Sequence, residues 1–392
     1  MSGKGPMIGV INAGSSSMKF ALYAGDECIL SGQVEGIGVR PAIKAKNAAG
    51  QLLPGPDLSR TPPATPAEAL LLLLPWLREQ LDGHPVTALG HRVVHGGPRH
   101  DGPELVTPAL LEELVAFAPL APLHQPHNLA PIRAALAKAP DLPQVACFDT
   151  AFHRTMPEVA QAFAIPYALA DQGVRRYGFH GLSYEYIASC LPQLASEIAG
   201  GRVVVAHLGN GASLCALQAG QSIATSMGFS ALDGLPMGTR CGELDPAVVL
   251  FLLQHQGMTP AAVQDLLYRR SGMFGLSGLS SDFRELLASQ DSHARFAVEV
   301  FVYRVARGIG SLAAALGGLD GIVFTAGVGE NAAPIRAAIC EASRWLGLDL
   351  DTEANATHCQ RISTPQSRVA VHVIPTNENL MIARHTRAAI AS

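Results

Sequence analysis

Two segments of this chain, one in each half, share a single design: an apolar strand pattern, a glycine-rich polar turn, and a second strand pattern. Residues 8–23 read IGVINAGSSSMKFALY, and residues 203–217 read VVVAHLGNGASLCAL. In both turns glycine permits the dihedrals needed to aim backbone N–H groups and small hydroxyls at one point, and it leaves no side chain to block a close approach. Such a turn holds phosphate. A duplicated phosphate turn implies two related lobes gripping one nucleotide, which points to phosphoryl transfer.

At 392 residues and 48% hydrophobic content the chain exceeds what one core usually serves, so two domains are expected. A formal net charge of -4 leaves no basic footprint for nucleic acid, and no block of like charge suggests a membrane surface. The start, MSGKGPM, runs straight into a strand pattern without the features of a secretory signal. The apolar run at residues 69–74 meets Pro75 far short of the roughly 20 residues a membrane span needs. A cytoplasmic protein with small-molecule partners is expected. Seven cysteines, odd in number and without a C-x-x-C pair, argue against a disulfide framework and a zinc site; they read as reduced thiols, mostly core filler.

Strand patterns open the chain, with a further strand at 28–34, and the Pro- and Gly-rich residues 47–66 read as loop. Helices are expected at 67–81, 108–117 and 129–138, with strands at 88–94 and 144–148 between them. The second half repeats the order: strands at 202–207, 212–218 and 222–226, helices at 246–254, 260–269 and 294–315, a strand at 321–325 and a helix at 334–346. A strand at 369–374 and a helix at 380–390 close it. Strands first and helices interleaved later describe a mixed α/β sheet, built twice. The crossing between lobes is placed near Thr150 and the return near Asn377, giving residues 1–150 plus 378–392 and residues 151–377.

Several polar residues sit where these patterns put ligand groups. Asn12 ends an apolar strand, where its amide oxygen can meet a metal ion or its waters, and Lys19 lies on the next strand. A tight hairpin also explains Gly14 and the serines beside it. No G-x-x-x-x-G-K-[ST] string occurs, so this is not a P-loop. Residues 207–211 (His207, Leu208, Gly209, Asn210, Gly211) offer successive N–H groups and an amide. Residues 325–331, TAGVGEN, match the loose dinucleotide fingerprint between a strand and a helix. The same pattern recurs at 308–313 in a helical stretch, so alone it carries little. Arg92 and Arg240 stand beside glycines at the ends of apolar segments, and two guanidinium forks make a clamp for a carboxylate or a transferring phosphoryl group. Of fourteen histidines, His91 and His95 lack the glutamate of a zinc motif, and His124 and His153 suit structural donor roles. His180 is flanked by Gly178 and Gly181, which leave its ring approachable. Asp149 and Glu378 follow strands, where an α/β fold gathers ligand groups, although either also suits a helix cap.

Taken together, the strings NAGSSSMKF, GHRVVHGG, ACFDTAFH, RRYGFHGLSY, AHLGNGAS, PMGTRCGELDP, SSDFRE, FTAGVGEN and PTNENLMIARHT cover essentially the whole chain. In these the chain resembles the acetate kinase family of the acetate and sugar kinase, hsp70 and actin superfamily. That resemblance implies two RNase H-like lobes (a duplicated βββαβαβα), an active site in the interdomain cleft, ATP/ADP as co-substrate, Mg²⁺ with Mn²⁺ as a substitute, and a homodimer. It implies transfer of phosphate from ATP to acetate. Carried onto this sequence, Asn12 and Glu378 are the metal positions, and Lys19 with His207, Leu208, Gly209, Asn210 and Gly211 contact phosphate. Asp282, Phe283, Arg284, Gly327, Val328, Gly329, Glu330 and Asn331 form the nucleoside pocket. Arg92 contacts the acetate carboxylate, Arg240 and His180 stabilise the transition state, and Asp149 holds the active-site acid position. Val94, Leu123 and Phe179 line the methyl pocket, with His124 beside the substrate. Where the family commonly has proline before a Leu-Glu-Gly turn, this chain has Ala231 followed by Leu232, Asp233 and Gly234, which leaves propionate or butyrate open as acceptors.

Acetate is ionised at neutral pH, since a carboxyl pKa is about 4.3 or lower. No general base is then needed, and Asp149 is expected to orient metal-bound water or Arg240. An ATP-driven chaperone or filament protein would not need two arginines beside a small apolar pocket. A dehydrogenase reading of residues 327–332 fails because two other phosphate turns precede it.

Overall fold

The chain divides into two units in the computed structural model, which describes residues 6–81, 84–122 and 124–391. One unit runs to Phe152 and takes back the residues from Asn377 onward, and the other is His153–Thr376.

In the first unit the strands are β1 (Met7–Ala13), β2 (Ser17–Ala24), β3 (Glu27–Glu35), β4 (Ala42–Asn47), β5 (Leu52–Leu53), β6 (Val86–Val93), β7 (Glu104–Leu105) and β8 (Gln144–Phe148). They form one sheet in the order β5-β4-β3-β2-β1-β6-β8-β7. The hairpin β1-β2 is antiparallel and closes with Ala13 opposite Met18, while β6 and β8 join parallel to β1. Alternation along β2 puts Met18, Phe20 and Leu22 under the helix Pro66–Gln80, whose Leu70, Leu73 and Leu77 complete one core. Each such buried leucine contributes about 1.5–3 kcal/mol relative to exposure. Val93, Ala146 and Phe148 pack with Leu110, Leu111 and Leu114 of the helix Pro108–Ala116 and with Leu129 and Ile132 of the helix Gln125–Lys138.

The last helix, Glu378–Ala391, lies flush on β6 because residue 90 is glycine. A Cβ there would stand 2.2 Å from the Thr386 hydroxyl and 2.6 Å from the Ile382 side chain. That seating puts Glu378, the first residue of the helix, beside the end of β1.

In the second unit β9 (Arg202–Leu208), β10 (Ala212–Gln218), β11 (Gln221–Thr225), β12 (Gly321–Thr325) and β13 (Ala370–Val373) lie in the order β11-β10-β9-β12-β13. The first three are antiparallel, and β12 and β13 run parallel to β9. This repeats the β3-β2-β1-β6-β8 order, so the two glycine-rich turns close equivalent hairpins.

Several expectations need correction. The stretch 47–66 is not all loop, since β4 reaches Asn47 and Leu52–Leu53 pairs with it as an edge strand. The segment TAGVGEN is not a loop but a short helix, Ala326–Asn331. The helix expected to reach 346 ends at Ala342 and gives way to a 3-10 turn, Arg344–Leu346. A fourteen-residue helix at Gly181–Leu194 was not anticipated. Three cysteines, Cys147, Cys215 and Cys340, are buried, whereas Cys28, Cys190 and Cys241 are half-buried and Cys359 is exposed, so most are not core filler.

Candidate active site

At the carboxyl ends of β1, β6 and β8 the first unit gathers Asn12, Arg92 and Asp149, with Glu378 joining from the last helix. The Arg92 Nε donates to both Asp149 carboxylate oxygens at 3.0 Å, and its Nη2 makes a further short bond to Oδ2. Its Nη1 donates to Asn12 Oδ1 at 3.3 Å, and Asn12 Nδ2 reaches Glu378 Oε2 at 3.5 Å. Asp149 is 1% exposed and Arg92 20%. Burial works against the Arg92 cation, but the Asp149 and Glu378 carboxylates outweigh it and raise its pKa. Burial pushes the Asp149 carboxyl up, against the pull of Arg92. Asp149 thus braces the Arg92 guanidinium.

The donor set offered here, a carboxylate and an amide oxygen, suits a hard cation. Among the described residues no group of three or more His, Cys, Asp or Glu forms a cage. Mg²⁺ fits such a site, because it keeps several waters and is usually held by one or two carboxylates plus substrate phosphates. Lys19 stands opposite Asn12 in the β1-β2 register and is exposed. It lines a hollow of about 340 Å³ with Gln33, Lys44, Lys46 and Asn379.

Val94 is buried directly after β6, and its position is set by residues that sequence reasoning passed over. Asn128 accepts from the Val94 N–H at 2.9 Å and donates to the Ala13 carbonyl at 2.6 Å, tying the ends of β1 and β6 together. Gln125 holds His95 from both sides, accepting from its N–H at 3.2 Å and donating to its carbonyl at 3.0 Å. The signal was present in PLHQPHN, where Gln125 and Asn128 are spaced to share one helix face. His124 is half-buried at the N-terminus of that helix, and Leu123 lies outside the described residues.

In the second unit His180 precedes the helix Gly181–Leu194 in a left-handed conformation, φ 58° and ψ 24°. A non-glycine residue held there is strained, and such strain clusters at functional sites. Its ring stacks on His207 with centroids 4.2 Å apart and planes at 17°. Its Nδ1 meets the Ser213 hydroxyl at 2.8 Å, and His207 Nδ1 meets that of Ser183 at 2.8 Å. The neighbouring Phe179, 1% exposed, presents its carbonyl to His153 Nε2 at 2.9 Å, and His153 Nδ1 faces Ser222 at 2.8 Å. Burial keeps His153 neutral, with its pKa lowered to about 4. Arg240 donates to the Ala231 carbonyl at 2.7 Å, so the turn at Ala231 supports the guanidinium. A Cβ on Gly211 would lie 3.2 Å from His180 Nε2 and 3.3 Å from Arg240 Nη2, so both groups converge on that glycine.

Three separate predicted segments meet around a cavity of about 700 Å³. Gly209 and Asn210, then Asp282, Phe283 and Arg284, then Gly327, Val328 and Asn331 line it, with Ser281, Leu287, Ala332 and Pro334. The remaining predicted contacts face elsewhere. Leu208 is wholly buried and packs under Gly329. The Glu330 carboxylate accepts from the Ala326 and Thr376 N–H groups at 2.8 and 3.1 Å, which fixes the short helix. Arg336, also missed, is fully buried beneath it and donates to the carbonyls of Gly329 and Glu330 at 3.0 and 2.8 Å. A hollow of about 670 Å³ under the helix Pro66–Gln80 has a mainly apolar lining, with Arg78, Lys138 and Asp141 among it, and carries none of these groups.

The same five-strand order built twice, with a glycine-rich turn in each opening hairpin, is the plan expected of a nucleotide-dependent phosphotransferase. The chain belongs to the acetokinase family, whose sequence profile matches residues 7–384. It is 56% identical over 385 residues to an acetate kinase of Rhodopseudomonas palustris (strain ATCC BAA-98 / CGA009), covering 96% of each chain. It is 52% identical over 391 residues to that of Rhizobium meliloti, covering 98% of each. Among solved structures, the acetate kinase of Porphyromonas gingivalis superposes with a TM-score of 0.86 at 34% identity, covering 98% of this chain and 100% of that one. A propionate kinase from Francisella tularensis subsp. tularensis SCHU S4 gives 0.90 at 37%, covering 98% and 99%.

Proposed function

We propose that the protein catalyses reversible, Mg²⁺-dependent transfer of the ATP γ-phosphate to acetate by direct in-line displacement, giving acetyl phosphate and ADP. The observation that carries this reading is the convergence of Arg240 and His180 on Gly211, in the turn that also lines the nucleoside-sized cavity.

Acetate needs no deprotonation, so the obstacle is electrostatic: an anion must approach a polyanion while charge spreads over three equatorial oxygens. Arg240 supplies fixed positive charge and the His180 ring a hydrogen bond there, and neither costs reorganisation as the phosphoryl group moves. Arg92, held by Asp149, receives the acetate carboxylate, and its fork shape favours a planar two-oxygen partner. The family resemblance assigns contact with the acetate methyl group to Val94, Leu123 and Phe179 and a place beside the substrate to His124. Lys19 and the backbone of the 207–211 turn hold phosphates, while Asp282, Phe283, Arg284, Gly327, Val328 and Asn331 take the nucleoside. Asn12 and Glu378 hold the divalent cation, which when bound neutralises phosphate charge.

A cytoplasmic homodimer accompanies this reading. No described helix is long and apolar enough to cross a membrane. The helix Pro246–Gln254 is apolar up to Leu253 yet has no buried residue, and it exposes Val248 by 39%, Leu250 by 52% and Phe251 by 49%. A helix of that composition is normally covered, and a second copy of the chain is the proposed cover.

The second reading is a propionate kinase, favoured by the Ala231 turn that contacts Arg240. One methylene is worth only about 1–3 kcal/mol of discrimination. An ATP-dependent hydroxamate assay across acetate, propionate and butyrate decides. Highest kcat/KM on acetate supports the first reading, highest on propionate the second, and no acyl hydroxamate from any of the three rejects both.

A further inference from the structure

His180 is held by more than its strained backbone. Its Nδ1 meets the Ser213 hydroxyl at 2.8 Å, and Ser213 in turn meets the Tyr184 hydroxyl through a short bond. All atoms of the Ser213 and Tyr184 side chains are buried, with no measurable exposure. Tyr184 comes from the helix Gly181–Leu194, and Ser213 stands opposite His207 in the β9-β10 register. The relay thus joins the elements that frame the turn.

The direction of the two hydrogen bonds follows from counting donors. A serine hydroxyl has one hydrogen to give and can accept two, and a phenol has one to give. Among the described residues the hydrogen-bond partner of the Tyr184 hydroxyl is Ser213 Oγ. Burial pushes the Tyr184 phenol well above its usual range, so it keeps its proton. A buried phenol with one partner donates to it, because an unmade donor costs about 1–3 kcal/mol. Ser213, having accepted, gives its own hydrogen to its other side-chain partner, His180 Nδ1. A ring nitrogen that accepts a hydrogen bond carries no proton, so the neutral imidazole carries it on Nε2. That is the nitrogen facing Gly211.

We infer that Tyr184 and Ser213 are positioning residues, a buried hydroxyl relay that fixes the His180 tautomer and presents Nε2–H as a donor toward the phosphate turn. The inference rests on the proposed phosphotransferase reading for its consequence, but the tautomer itself does not depend on the substrate. With the opposite tautomer the ring would aim a lone pair at phosphate oxygen. A donor there turns the imidazole from a repulsive group into a stabilising one.

The test is ¹⁵N imidazole NMR of the full chain without substrate, with the His180 signals assigned by comparison with His180→Gln, alongside steady-state kinetics. Wild type should show His180 protonated at Nε2 and unprotonated at Nδ1 at neutral pH. Tyr184→Phe frees Ser213 to accept, so both tautomers should appear. Its kcat should drop on the order of 10–100-fold, as when other groups that orient an active imidazole are removed, with KM for ATP nearly unchanged. Ser213→Ala gives a second route should the phenylalanine variant fold poorly, and Ser213→Thr, which keeps the hydroxyl, should restore the wild-type tautomer. A wild-type His180 protonated at Nδ1, or at both nitrogens, overturns the relay. So does a Tyr184→Phe enzyme with unchanged ring signals. Wild-type signals as expected in a protein that phosphorylates no carboxylate would leave the relay standing and remove the proposed function instead.

Discussion

Arg92 and Asp149 extend from neighbouring parallel strands, and the Arg92 Nε stands 3.0 Å from both oxygens of a carboxylate that is almost wholly buried. The pairing fixes the plane of the guanidinium and turns its Nη1 toward Asn12.

Removing the brace should cost stability as well as activity. Asp149→Ala leaves a largely buried cation without its main partner, and breaking such a pair typically costs about 3–5 kcal/mol. Replacing both members together, Arg92→Met with Asp149→Leu, should recover much of that stability while activity stays lost. Urea unfolding of the two singles and the double measures the coupling. Additive losses in the double variant would show that the pair is not a stabilising unit.

The role assigned to Arg240 predicts a split between binding and turnover. Arg240→Ala should raise the barrier by about 2–4 kcal/mol, as loss of a preorganised donor does, and leave the ATP dissociation constant within a factor of a few. Calorimetric titration with ATP and initial rates separate the two. A variant that binds ATP poorly but turns over normally would place Arg240 in ground-state binding.

Gly211 is open enough for backbone but not for a side chain. In Gly211→Ala the methyl group would press on His180 Nε2 and Arg240 Nη2, both inside 3.4 Å. Both are side-chain ends and can swing aside by a few tenths of an ångström, so the melting temperature should change little while kcat falls by about tenfold, since small misplacements are costly in a preorganised site. A fully active alanine variant would mean that neither group works near this glycine.

Acid should unfold the protein partly through its buried histidines. His91 and His153 are both lowered to about 4 by burial, from an ordinary value of 6.5. The folded state therefore excludes protons that the unfolded chain accepts. Their contribution is complete above pH 6.5 and is lost as pH falls toward 4, by at most about 3 kcal/mol for each histidine. The urea midpoint should decline across that window, and His153→Gln should flatten the decline. A midpoint independent of pH between 6.5 and 4 would contradict the burial argument.

Much of this arrangement was legible in the sequence because it depends on local chemistry. The hairpins announce themselves through glycine turns between alternating apolar positions, and Asn12, Arg92 and Asp149 fall at strand ends. The misses have physical causes. The helix Gly181–Leu194 begins from a left-handed His180 with no side-chain cap, so the usual N-terminal signal is absent. The TAGVGEN segment reads as loop by composition, yet its helix is held by the Glu330 carboxylate and by Arg336 from below. Nothing local marks Arg336 as buried. Its partners, including Asn355 Oδ1 at 2.8 Å, come from elements that only the fold brings together. The brace between Asp149 and Arg92 was missed for the same reason, since strand order decides which carboxylate meets which guanidinium.

The most direct test is ³¹P NMR of the purified protein with ATP, Mg²⁺ and acetate, run beside the Arg92→Ala and Arg240→Ala proteins. The account predicts an acetyl phosphate resonance growing with ADP in the wild type, and its near absence in both variants. ADP appearing with inorganic phosphate alone, or acetyl phosphate forming at wild-type rate without either arginine, would contradict it.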